Sequence, residues 1–204
     1  MPKLDSSEVQ IVDVDADSLA MMALEGKVCF HCRLLEDRDA SLLQPGGCPV
    51  RAEDIKPLVT DDRSGVKVVL HGSQIVGYAV FGRPTMFRNL DRLAFRVDDN
   101  ALLIGALYVT REAEEANVDV DLLIEIMGFA REQGYESVQA VCRPDEAEGP
   151  EGTARLFGAA GFALSDAAGG ACLARTTLKE WDENEEQTGA GENRPAGIGN
   201  GIGI

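Results

Sequence analysis

The stretch from Ala101 to Phe162 places the strongest constraint on the fold of this 204-residue chain. It begins with an apolar run, ALLIGALYVT, and continues through a polar segment into a long amphipathic helix, a second strand and a short helix that ends at Gly161-Phe162. A strand that leads into a helix N-terminus is typical of units that hold a phosphorylated ligand, because free N–H groups and the helix dipole favour an anion there. The order of these elements therefore predicts a cofactor-binding unit.

The polar segment, residues 111–121, has a chemistry that opposes such a ligand. REAEEANVDVD contains one positive charge, no glycine and five carboxylates. A carboxylate about 6 Å from a phosphate costs on the order of 1–3 kcal/mol near a protein surface, so two or three would cancel much of a micromolar affinity. The same acids stabilise the helix that they precede. Two interpretations stay open: a capped helix without a phosphate ligand, or a phosphate site whose acids point away from the ligand.

The net charge of −16 limits the partners of the chain. It argues against nucleic acid and anionic membranes, because their phosphates would be repelled, although acidity also serves solubility or a salty cytoplasm. The sequence has no run of the ~20 apolar residues that a membrane span needs, and its N-terminus, MPKLDSSEVQ, lacks a signal pattern. Five cysteines, an odd number, are typical of reduced thiols. We therefore expect a cytoplasmic protein without a nucleic-acid or membrane partner.

The chain divides into one domain, residues 1–178, and a tail. The tail, residues 179–204, is rich in Glu, Gly and Asn and has almost no apolar periodicity. It cannot bury enough surface to offset its chain entropy, so we expect it to be disordered. Within the domain, the cysteine-containing segment 26–65 is irregular, with room for two short helical pieces.

Apolar periodicity predicts the regular elements of the domain. The clearest is a helix over residues 119–133, whose apolar side chains line one face and which Gly134 ends. Because strands precede and surround this helix, we predict an α+β fold with a mixed, mostly antiparallel central sheet flanked by helices. Strands are predicted at residues 9–15, 66–72, 74–82, 102–110, 136–143, 162–164 and 171–177, and a short helix at residues 153–160.

Four segments together resemble the GNAT superfamily of N-acetyltransferases. QIVGYAVFG resembles the family's hairpin strand, and LLIGALYVT the strand whose backbone holds the pantetheine arm of the cofactor. FAREQGYESVQAVC resembles the helix end and following strand, and ARLFGAAGF the closing helix that ends in Gly-Phe. The resemblance implies a GNAT-like acyl-CoA N-acyltransferase fold and transfer of an acetyl group from acetyl-CoA to an amine of a small molecule or protein. It also leaves room for a homodimer.

The resemblance implies a cofactor site, residue by residue. The backbone of Leu107, Tyr108 and Val109 would hold the pantetheine arm. The family's pyrophosphate loop, usually Arg/Gln-x-x-Gly-x-Gly/Ala, aligns with residues 114–119, whose N–H groups would wrap the pyrophosphate. The loop is degenerate here, because an acid replaces the basic or amide residue, and an amide and a second acid replace the glycines. Its residues are Glu114, Glu115, Ala116, Asn117, Val118 and Asp119.

The catalytic groups depart from the family pattern as well. Many members place a tyrosine four residues before the glycine of Gly-Phe, where it protonates the departing thiolate; here that residue is Phe157, which has no proton to donate. Glu112 and Glu125 are candidates for a general base, and a solvated helix charge is the alternative for each. A catalytically impaired GNAT-fold binding or regulatory module is therefore the second functional hypothesis.

Reactive side chains also cluster in KVCFHCR. Cys29 and Cys32 form a C-x-x-C pair, which can face one metal ion. With Cys48 as third ligand, and His31 or His71 as fourth, they could hold zinc. The alternatives are small buried thiols, since free cysteine is often buried, or a redox pair of lowered thiol pKa.

Overall fold

The computed structural model describes residues 8–15, 18, 52–87, 90–93, 95–142, 153–167 and 171–181. Two 3-10 turns, Pro84–Met86 and Leu90–Arg92, follow the third strand. The strands are β1 (Val9–Asp13), β2 (Gly65–His71), β3 (Gln74–Gly82), β4 (Leu102–Val109), β5 (Ser137–Cys142), β6 (Ala163–Leu164) and β7 (Cys172–Thr177). The helices are α1 (Ala52–Thr60), α2 (Arg111–Glu114), α3 (Val118–Glu132) and α4 (Ala154–Ala159).

The seven strands form one sheet in the order β1-β2-β3-β4-β5-β7-β6. All neighbours are antiparallel except β4 and β5, which are parallel. A parallel pair needs a crossover connection, and α3 lies in that crossover. The structure therefore confirms the predicted α+β class and the mixed, mostly antiparallel sheet.

The core occupies both faces of the sheet. On one face, α3 buries the apolar stripe that its sequence predicts, including Leu122, Ile126 and Met127. On the other face, Leu58 of α1 packs in a second buried cluster with Phe87 of the loop after β3. Full burial of such a side chain contributes about 1.5–3 kcal/mol, so the two clusters fix the sheet between its covering layers.

The folded part extends slightly beyond the predicted domain end. Residues 178–181 form a helical turn, and Trp181 is buried with its ring 5.9 Å from that of Phe162. The predicted boundary between the domain and the tail, after residue 178, falls within this turn and stays a prediction. The rest of the tail, and residues 26–51 of the cysteine-containing segment, lie outside the described residues.

A glycine on β4 marks an irregularity of the sheet. The register between β3 and β4 shifts after Val80, which pairs with Ala106, whereas Phe81 pairs with Ile104. Gly105 is therefore the extra residue of a β-bulge, a feature that bends and twists a strand. A Cβ at this position would lie 2.3 Å from Cε1 of Phe87, so only glycine fits.

None of the described helices has the length and apolar character needed to cross a membrane.

Two glycine-to-alanine substitutions should have opposite effects on stability. Gly105→Ala should lower the free energy of unfolding by about 1–3 kcal/mol, because the new methyl group overlaps the ring of Phe87. Gly128→Ala, within α3, should raise it by about 0.5–1 kcal/mol, because a Cβ there meets nothing within 4 Å. Urea unfolding of the two variants measures both changes. The same change in the free energy of unfolding for both variants would contradict the bulge assigned at Gly105.

Candidate functional site

β4 and β5 separate at one end of the sheet. They pair only over Leu102–Ile104 and Val138–Ala140, although β4 continues to Val109 and β5 to Cys142. The bulge at Gly105 follows directly after the last paired residue of β4. The two strands therefore diverge from this point and leave a gap between their carboxyl ends.

Among the residues that the structure describes, the second half of β4 pairs only with β3. The N–H of Thr110 donates to β3 at 2.8 Å, and the ladder with β3 runs back to Ala106. Because hydrogen-bonded residues alternate in an antiparallel ladder, Tyr108 directs its backbone groups towards β3. Leu107 and Val109 direct their N–H and C=O groups into the gap. An extended ligand that carries amide groups can pair with this edge, as an added strand does.

The segment predicted as a loop begins with a helical turn, α2. The side chain of Thr110 accepts a hydrogen bond from the N–H of Ala113 at 3.4 Å and so caps the turn. The next four N–H groups, of residues 114–117, donate to backbone carbonyls of residues 110–114 at 2.9–3.1 Å. Acids in a first turn stabilise a helix, and Glu112 and Glu114 lie there. Four of the six N–H groups predicted to wrap a pyrophosphate, those of residues 114–117, are thus engaged within the chain.

Asn117 joins α2 to α3 in a left-handed conformation, with φ of 60°. The family pattern expects a glycine at this position, and asparagine is among the few other residues that tolerate this conformation. Its carbonyl accepts hydrogen bonds from the N–H groups of Val120 and Asp121 at 3.1 and 3.2 Å. The backbone path of the expected loop is therefore kept without glycine.

Asp119 supplies an anion to the N-terminus of α3 from within the chain. Its carboxylate lies near its own N–H and that of Val120, and the residue is only 9% exposed. Burial raises the pKa of this carboxyl above its usual 3.8, and the nearby Glu114 carboxylate raises it further. The two N–H groups and Arg155 act in the opposite direction.

Two arginines near this helix end, both among the described residues, form ion pairs. Arg155 of α4 contacts Glu114 at 2.9 Å, which ties α2 to the closing helix. Arg111 contacts Glu115 at 3.4 Å across one turn, and both side chains are exposed. Such surface pairs are weak, about 0–1 kcal/mol each, but they place carboxylates beside each of these arginines.

The two halves of coenzyme A therefore fit this region differently. The pantetheine arm is uncharged and carries amides that match the free edge of β4 at Leu107 and Val109. The pyrophosphate needs free N–H donors or cations, and the start of α3 provides engaged N–H groups and an internal carboxylate. The residues present fit the arm and do not fit the pyrophosphate.

The structure places the predicted acid–base residues away from one another. Phe157 is fully buried with its ring 5.2 Å from that of Phe162, so this position packs the core. Glu125 lies 3.5 Å from the ammonium of Lys67 on β2, and Glu112 is exposed on α2. Tyr108, by contrast, is 39% exposed in the diverging half of β4. The sequence analysis assigned Tyr108 a backbone role only, although the alternation of side chains along a strand directs its side chain away from those of Leu107 and Val109.

The predicted metal ligands Cys29, Cys32 and Cys48 lie outside the described residues, so a zinc or redox site there stays a prediction. Among the residues that the structure does describe, none cluster with the geometry of a metal site. Cys142 and Cys172 are buried cysteines opposite each other on β5 and β7, and the thiol of Cys142 donates to the carbonyl of Cys172 at 3.5 Å.

Two cavities in the described residues lie away from the gap. One, of about 470 Å³, lies between β2 and α3, where Lys67 contacts Asp13 at 2.9 Å. The other, of about 640 Å³, lies at the opposite end of the sheet, where the guanidinium of Arg63 stacks 4.4 Å above the ring of Tyr135. The hydroxyl of Tyr135 also donates to the carbonyl of Arg63 at 2.8 Å, so these groups brace the fold.

Neither a family model nor a curated protein matches the sequence, but the structure is similar to solved GNAT acetyltransferases. The GNAT-family acetyltransferase of Streptococcus pneumoniae is 13% identical with a TM-score of 0.56, covering 83% of this chain and 99% of that one. The paia N-acetyltransferase of Thermoplasma acidophilum, in complex with coenzyme A, is 10% identical with a TM-score of 0.54, covering 83% and 98%. For yncA of Salmonella typhimurium, solved with its cofactor acetyl-CoA, the values are 16%, 0.54, 84% and 94%.

These likenesses show the architecture of an acyl-CoA N-acyltransferase. More narrowly, the chain has the GNAT fold, as the sequence resemblance implied.

The buried Asp119 carboxyl predicts a pH-dependent effect of its removal. Since its pKa is raised in the folded state, its ionisation destabilises the fold as pH rises from 3.8 through the raised value. Asp119→Asn should therefore gain stability relative to the natural protein at pH 7, and the gain should vanish below pH 3.8. Urea unfolding across this range checks it. The exposed Glu112→Gln is the control, and a gain for Asp119→Asn that is largest at low pH would contradict the prediction.

Proposed function

We propose that this protein binds an acyl-pantetheine thioester along the free edge of β4 and transfers the acyl group to an amine of a small molecule or protein. The observation that carries the proposal is the divergence of β4 from β5, which turns the backbone groups of Leu107 and Val109 into the gap. The fold adds support, because yncA of Salmonella typhimurium has the same fold and was solved with acetyl-CoA as its cofactor.

The transfer itself is a simple exchange at the thioester carbonyl. The amine nitrogen attacks the carbonyl carbon, a C–N bond forms, and the C–S bond breaks with its electron pair left on sulfur. The proton that the amine loses passes to the solvent or to the thiolate. This chain contributes position: the edge of β4 holds the arm and thereby fixes the carbonyl, and such positioning lowers the barrier of a bimolecular step.

A specific observation favours a second candidate, a GNAT-fold binding or regulatory module without catalysis. The position of the family's proton donor is Phe157, which is fully buried against Phe162. Without a general acid, the rate of acyl transfer should fall by about 10²–10⁴-fold, which is the range that such groups contribute. Release of free thiol from saturating S-acetylpantetheine, with and without amines, separates the candidates: amine-dependent release supports transfer, and binding without release supports the module.

Thermal-shift titration tests the binding that both candidates share. A ligand at 100 times its dissociation constant should stabilise the folded protein by ~2.7 kcal/mol and raise its unfolding temperature clearly. S-acetylpantetheine should produce this shift. If neither it nor acetyl-CoA shifts the unfolding temperature at millimolar concentration, the proposal fails.

Proline substitutions on β4 test which backbone groups the thioester uses. Val109→Pro removes an N–H that faces the gap, so the fold should persist and the affinity for S-acetylpantetheine should fall about three- to tenfold, the value of one hydrogen bond. Tyr108→Pro removes an N–H of the ladder with β3 and should lower the free energy of unfolding by about 3 kcal/mol. Calorimetric titration and urea unfolding measure both effects. Unchanged affinity in a folded Val109→Pro protein would exclude this edge.

A further inference from the structure

We infer that the donor of this protein is a pantetheine thioester without a nucleotide pyrophosphate, and that Asp119 is a residue that sets this specificity. The inference rests on the proposed function, because it concerns the far end of the same ligand. It makes Asp119 a specificity-determining residue that acts by placing a carboxylate of the chain at the helix end that an anion would occupy.

The first argument is the use of the N–H groups. An anion binds at a helix N-terminus because the first N–H groups of the helix have no partner. Here the N–H groups of residues 114–117 close the turn of α2, that of Val120 donates to the carbonyl of Asn117, and the Asp119 carboxylate lies beside the first N–H groups of α3. A pyrophosphate would have to displace a carboxylate that is covalently part of the same helix and already in place.

The second argument is the charge around that position. The segment from Arg111 to Asp121 carries five carboxylates and one cation, and that cation is paired with Glu115. Arg155, the cation that α4 brings to this end, is paired with Glu114. Each carboxylate at about 6 Å from a phosphate lowers affinity roughly tenfold at the surface. A pyrophosphate therefore meets repulsion that an uncharged pantetheine does not.

The third argument is that the backbone keeps the left-handed residue of the expected loop, so the contribution of the side chains can be tested by substitution. Asn117 adopts the left-handed conformation that glycine adopts readily, with φ of 60°. Three substitutions restore the family's loop pattern in full: Glu114→Gln, Asn117→Gly and Asp119→Ala. This variant removes two negative charges.

A matched control removes the same charge without touching the start of α3. Glu112→Gln with Glu115→Gln also removes two negative charges, and both side chains are exposed on the turn of α2. If general repulsion alone excludes the pyrophosphate, the affinity for acetyl-CoA will rise equally in the control and in the restored variant. If the internal carboxylate excludes it, the affinity will rise in the restored variant only.

The experiment is calorimetric titration of the full chain, at 0.15 M salt, with S-acetylpantetheine, acetyl-CoA and inorganic pyrophosphate. We expect the natural protein to bind acetyl-CoA no more than threefold tighter than S-acetylpantetheine and not to bind pyrophosphate. The restored variant should bind acetyl-CoA at least tenfold tighter than the natural protein and the control do, with its affinity for S-acetylpantetheine unchanged within threefold.

Two results would overturn the inference. The first is that the natural protein binds acetyl-CoA more than threefold tighter than S-acetylpantetheine, or binds pyrophosphate. The second is that the restored variant binds acetyl-CoA less than tenfold tighter than the control does. If the natural protein binds neither thioester, the proposed function fails, and the gain of the restored variant for acetyl-CoA and pyrophosphate still decides the role of Asp119. If circular dichroism shows that the triple variant does not fold, the affinities of Asp119→Ala and Glu112→Gln are compared by the same criteria.

Discussion

The end of the pairing between β4 and β5 after Ile104 is the constraint on which the rest of the site depends. The bulge at Gly105 bends β4 at this point, and the ring of Phe87 occupies the space that any larger residue would need. Because β3 holds the other edge of β4 in register, the strand keeps its extended form beyond the break. One edge of the strand is then left with backbone donors and acceptors that face a gap, which is the condition for an extended amide ligand to bind.

Electrostatics decide how much of such a ligand the protein accepts. The helix that follows β4 has the position and the polarity of an anion site, yet the chain places its own carboxylate, that of Asp119, on the first N–H groups. The neighbouring turn, α2, engages the remaining donors, and its acids pair with the nearby arginines. The uncharged and the charged halves of a nucleotide thioester thus meet opposite environments, only a few residues apart in sequence.

The sequence predicts the fold well because its signals are local. The apolar stripe of α3 requires burial on one face, and the apolar runs of β2 and β3 are buried on both faces of the sheet. The observed ends of these elements lie within about one residue of the predicted ones. The five acids of residues 111–121 were equally visible, but the turn of α2 and the return of the Asp119 carboxylate onto its own helix depend on side-chain geometry. The burial of Trp181 and the divergence of the sheet depend on contacts between distant segments, which periodicity does not encode.

Amide hydrogen exchange, followed residue by residue by NMR, tests the central claim most directly. The account predicts that Ala106 and Tyr108, whose N–H groups pair with β3, exchange slowly in the free protein. Leu107 and Val109, whose N–H groups face the gap, should exchange at least a hundredfold faster and become protected when S-acetylpantetheine is added. Equal protection of all four amides in the free protein, or no change at Leu107 and Val109 with the thioester bound, would contradict the account.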